Sequence, residues 1–96
     1  MNFRHAAALA LVGWYLIGPP VREPKNDRPY LDEHAAYSEW KILITFSDQV
    51  QCEYNREVHT QSVQDDWAEF GRTNIWAEQL LESDCIATDD PRLKEK

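Results

Sequence analysis

Two cysteines, three histidines and 17 carboxylates are the side chains in this sequence that could do chemistry. Cys52 and Cys85 are 33 positions apart, so they do not form the C-x-x-C pair of a thiol redox site. A zinc site needs four ligands at short local spacings, and His59 is the only histidine near either cysteine. Cys52 and His59, seven positions apart on a helix, would be two turns from each other, too far for direct proton transfer. His5, His34 and His59 are scattered and fit no H-E-x-x-H pattern.

The acids form two clusters, Asp65-Asp66-Glu69 and Asp89-Asp90, and neither alternates around a glycine as a calcium loop requires. The first reads as a solvated helix face, the second as a cap or turn before Pro91. There is no G-x-S-x-G, and three glycines cannot build a phosphate-cradling loop. No catalytic, cofactor-binding or metal-ligating residue is assigned, and the chain reads as non-enzymatic.

What remains for the cysteines is each other. An even count, both beyond an apolar amino-terminal segment, reads as a Cys52–Cys85 disulfide in an exported chain. Closing a loop of about 33 residues stabilises a fold by about 3 to 4 kcal/mol on the chain-entropy model. A core of about fifty residues is marginal without such a staple.

The compartment is read from the first twenty residues. Arg4 precedes an uncharged run from Ala6 to Gly18, which has the n-region and h-region of an export signal. As a helix, Met1 to Gly18 would rise about 27 Å, close to a hydrocarbon core of roughly 30 Å. Trp14 and Tyr15 would lie at its far interface, and Pro19-Pro20 would end it. No A-x-A site closes the run. Residues 1–20 are therefore expected to be an uncleaved membrane anchor with the remainder outside the cytoplasmic membrane (periplasmic), the alternative being a cleaved signal and a secreted chain.

Residues 21–37, with Pro24 and Pro29 among mixed charges, read as a stalk. The expected fold class is α+β: the amino-terminal helix, then a small strand–helix–helix–strand domain over 38–90 and a charged tail over 91–96. Trp40 to Phe46 alternates, with Trp40, Ile42, Ile44 and Phe46 on one face, and predicts a strand. Ser47-Asp48 caps a helix over 48–61, whose Val50, Tyr54 and Val58 make a narrow apolar stripe with Cys52 well off it. Thr60 to Gln64 is expected to break that helix before Asp65–Phe70, and Gly71 to stop it. Thr73 or Asn74 caps a last helix carrying Trp76 and Leu80, and Cys85–Thr88 is placed as a strand beside 40–46. Trp67, Phe70 and Trp76 are assigned to the core, the ordinary place for large aromatics in a domain this small, the alternative being a contact surface.

The net charge is −7, with 10 Lys+Arg against 17 Asp+Glu. Such acidity excludes phosphate-backbone binding, leaves the membrane contact to residues 1–20, and favours a basic protein partner that the sequence does not identify.

Two strings, Gly13-Trp14-Tyr15-Leu16-Ile17-Gly18-Pro19-Pro20 and Cys85-Ile86-Ala87-Thr88-Asp89-Asp90-Pro91-Arg92-Leu93-Lys94, resemble a group of small uncharacterised bacterial proteins. That resemblance implies a bacterial, exported chain with an upstream cysteine like Cys52 and a strand like Trp40–Phe46. It carries no activity. The expected function is that of a non-catalytic interaction or accessory module anchored at the membrane; the alternative is a secreted inhibitor or effector.

Overall fold

The computed structural model describes residues 13–71 and 74–94. The fold is small and α+β, with five strands, two helices and a Cys52–Cys85 disulfide among the described residues. Its centre is a strand where the sequence suggested the end of a helix. β1 (Trp14–Gly18) lies between β4 (Lys41–Phe46) and β5 (Asp84–Ala87), antiparallel to both. Leu16 and Ile17 are fully buried, and with Cys52 and Ile86 they make up the apolar core.

This corrects the expected helix through Gly18. Tyr15, Leu16 and Ile17 are as compatible with a buried strand as with an apolar helix, and a short apolar run does not distinguish the two. Ladder partners on both edges decided it: Leu16 opposes Ile44 on one side and Cys85 on the other. The part of the expected anchor on residues 1–12 lies outside the described residues. Pro19 and Pro20 end the central strand, where no further ladder donors are needed.

The segment read as a stalk folds back on itself. β2 (Val21–Arg22) pairs with β3 (Tyr30–Leu31), joined through a turn at Pro24–Asp27. Arg22 bridges Asp32 and Glu39, each at 3.2 Å, and the Trp40 indole donates to the Ala35 carbonyl at 3.0 Å. Mixed charges spaced by prolines therefore supply local ion pairs here rather than an extended chain.

β4 begins one residue later than expected, and its alternation does not hold throughout. The register shifts between Leu16–Ile44 and Ile17–Ile42, leaving Leu43 as the extra residue of a bulge. A Cβ on Gly18 would stand 3.1 Å from Leu43 Cδ1, which places Leu43 over the central strand while Ile42 is about half exposed.

Helix α1 (Gln49–Phe70) runs unbroken through Thr60–Gln64. No glycine or proline interrupts it. The Thr60 hydroxyl donates to the Glu57 carbonyl and the Gln61 amide to Asp65, so the weak helix formers find partners within the helix. Asp48 caps it, accepting from the Gln51 amide at 2.8 Å, and Gly71 ends it at φ 69° in the left-handed region. Asn74 caps α2 (Ile75–Leu81) by accepting from the Ala77 amide at 2.9 Å. β5 is a strand, as expected, but it pairs with β1 rather than β4, because β1 occupies the position between them.

Candidate functional site

The disulfide ties α1 to β5, with the two Cα atoms 6.1 Å apart. Cys52 is fully buried, so this bond is a structural staple within the core rather than an exposed redox pair. Its position also settles which face of α1 turns inward. At about 100° per residue Cys52 lies about 200° round the helix from Val50. Arg56, about a turn beyond Cys52, donates to the Ser83 carbonyl at 2.6 Å. The Val50–Tyr54–Val58 stripe consequently faces solvent, with the three residues 78%, 66% and 46% exposed.

The aromatic residues assigned to the core are also outside it. Trp67, Phe70 and Trp76 are 45%, 66% and 60% exposed. The molecule is long and thin, 57 × 32 × 14 Å. A 22-residue helix overruns a sheet whose central strand has five residues, so the carboxyl-terminal half of α1 has little sheet to cover. Large apolar side chains there remain in water.

These apolar groups stand among carboxylates. The segment 49–82 carries seven Asp and Glu against two Arg, a net −5 of the chain's −7. On the outer face of α1 a shallow groove is lined by Tyr54 and Val58 together with Glu57, Asp65 and Asp66. On the other side a cleft of about 450 Å³ opens between β3, α1 and α2. Tyr30, Trp67 and Leu81 contribute apolar walls, and Glu33, Glu78 and Glu82 bring the charge. Among the described residues, no basic side chain lines it.

The expected acid clusters separate into different roles. Asp65 and Asp66 lie on the α1 groove, where Asp65 accepts from Gln61 at 2.9 Å. Asp90 begins a 3-10 turn (Pro91–Lys94), accepting from the Arg92 amide at 2.9 Å and pairing with its guanidinium at 2.8 Å. Hydrogen bonds from Arg92 hold the Asp90 carboxyl down to about 2. Arg92 also sits 5.0 Å over the Tyr37 ring, which packs edge-on against Trp40. The Tyr37 hydroxyl donates to Asp84 at 2.8 Å, and this bond raises its pKa above the ordinary phenol value, helped by burial.

His5 lies outside the described residues; His34 is exposed in the loop after β3, and His59 is on α1. Among the described residues, no three His, Cys, Asp or Glu side chains are grouped so as to hold a metal ion. Nor is any described helix long and apolar enough to cross a membrane. No protein-family model, curated protein or solved structure matches the chain.

The sequence reasoning missed the cleft, because its walls come from a segment read as stalk and from aromatics read as core. One signal was present: Cys52 and the Val50–Tyr54–Val58 stripe on opposite sides of one helix meant that one apolar face had to be exposed or covered by something else.

Proposed function

We propose that this chain is a non-catalytic interaction module of an oxidising, extracytoplasmic compartment, presenting the aromatic and acidic side chains of its helical layer to a protein partner. The observation that carries the reading is the exposure of Trp67, Phe70 and Trp76 in a segment that also holds most of the chain's net negative charge. Large aromatics left exposed on a helical layer are the residues that contact surfaces use. The buried Cys52–Cys85 bond supports the compartment, since structural disulfides persist where thiols are not kept reduced.

The central strand bears on attachment. A spanning helix through Gly18 would have to dismantle β1 and with it the core. The reading that fits the sheet leaves export or attachment to the residues ahead of Gly13, with the folded domain outside the membrane.

Two measurements test this. Intact mass on protein from the native host, alkylated with and without prior reduction, should show a chain that retains Trp14–Gly18 and takes up two alkyl groups only after reduction. Two free thiols in a cytoplasmic chain would overturn the compartment, and a mature chain starting near Val21 would overturn the placement of the central strand. Photo-crosslinking from positions 70 and 76 in the native host should trap one discrete partner, whereas crosslinks no richer than those from position 45 would overturn the interaction reading.

A further inference from the structure

The cleft between β3 and the two helices has a composition that selects its occupant. Its walls are aromatic and aliphatic; among the described residues its only charged lining groups are Glu33, Glu78 and Glu82, and none of the three is ion-paired there. We propose that it is a receptor for a cationic side chain, lysine or arginine, carried on an apolar stretch of a partner polypeptide. The inference rests on the interaction reading above and names the chemistry of that partner.

Three observations converge. Tyr30 and Trp67 present half-exposed rings, and a cation over such a ring gains quadrupole attraction that a neutral group does not. A partner chain seated on the apolar walls would displace water from them, so the carboxylates would act on its cation through a lower dielectric than at an open surface. Of the described arginines, Arg22 is committed to Asp32 and Glu39, Arg56 to the Ser83 carbonyl and Arg92 to Asp90, and Arg28 is not among the residues that line the cleft.

Other occupants fit less well. A second copy of this chain carries −7 and would bring carboxylates against carboxylates. Anionic lipid and nucleic acid are opposed for the same reason. A bare divalent ion needs converging ligands, and the three glutamates do not group as a metal site. An extended organic cation with apolar flanks uses both the charge and the walls.

The test uses the full chain at low ionic strength, titrated with an acetylated, amidated peptide of alternating Leu and Arg and followed by amide and indole NMR shifts. A Leu-Glu peptide is the control. The expected result is saturable binding of the cationic peptide only, with shifts at the Trp67 indole and Tyr30. The double variant E78Q/E82Q should weaken binding at least about tenfold, while E57Q/D65N, with the same charge change on the outer face of α1, changes it less than about twofold. Both variants replace surface groups, and unchanged amide spectra elsewhere confirm their folding. Equal weakening by the two would overturn the proposal in favour of unspecific charge attraction. Shifts confined to Tyr54 and Val58, or no saturation up to about 1 mM, would overturn the cleft as the site. The crosslinks from positions 70 and 76 bear separately on the interaction reading, so the two can fail independently.

Discussion

Gly18 and Gln79 share one space. A Cβ placed on Gly18 would stand 2.6 Å from Gln79 Cγ and 3.1 Å from the Gln79 carbonyl oxygen. The Gln79 side chain, 3% exposed, crosses the end of β1 and donates from Nε2 to the Pro19 carbonyl at 2.8 Å. One contact thus docks α2 on the end of the central strand and satisfies a carbonyl that ladder pairing does not reach.

Gly18→Ala should therefore destabilise the fold by about 1 to 3 kcal/mol, because part of the clash is with α2 backbone and cannot be relieved by a rotamer change. Gln79→Ala should cost about 1 to 3 kcal/mol by leaving a buried carbonyl unpartnered. Denaturant unfolding of each variant measures both. The costs should fall short of additivity in the double variant, since the two residues touch.

Removing the staple is a larger perturbation. Cys52 and Cys85 joined across 33 positions should contribute about 3 to 4 kcal/mol. The Cys52→Ser, Cys85→Ser double variant should lose that much in urea unfolding, or fail to fold at 37 °C. A midpoint unchanged by reduction in the wild type would show that the bond does not constrain the unfolded chain.

Tyr37 should titrate above the roughly 10 of a free phenol, because its hydroxyl donates to the Asp84 carboxylate. The folded chain holds this proton more tightly than the unfolded one. The stability it contributes is thus complete below the ordinary phenol pKa and lost as pH rises through the folded value. Absorbance titration at alkaline pH should show one late phenol, which Asp84→Ala shifts back toward the others. The arginine over the ring, Arg92, opposes the rise, so Arg92→Gln should move the same phenol further up.

Core and surface apolar groups should separate sharply under truncation. Leu16 is fully buried, and Leu16→Ala should cost about 2 to 5 kcal/mol. Trp76, 60% exposed, should tolerate Trp76→Ala within about 1 kcal/mol despite its greater size. Thermal unfolding of the two variants checks the ordering. The reverse order would return Trp76 to the core and remove the basis for a contact surface.

Local rules were enough for the helix caps, though not for the continuity of α1 through Thr60–Gln64. Asp48 and Asn74 are legible as caps because an amide acceptor side chain ahead of a helix satisfies donors only a few residues away. Gly71 is legible as a stop because a helix end needs a left-handed residue. The cysteine pairing was legible from an even count and the expectation of export, and β4 from its alternation up to the bulge at Leu43. Each of these depends on neighbours in the chain or on arithmetic over it.

The tertiary structure decided the rest. An apolar run such as Tyr15–Ile17 satisfies a buried strand and an apolar helix equally, and only the ladders to Ile44 and Cys85, far along the chain, choose between them. Which side of α1 faces inward depended on where Cys85 brought Cys52, so the stripe that looked like core became surface. The cleft needed both outcomes together with a ribbon from the supposed stalk. Periodicity reports that a face is apolar; the partner that covers it, or the absence of sheet beneath it, is a property of the assembled fold.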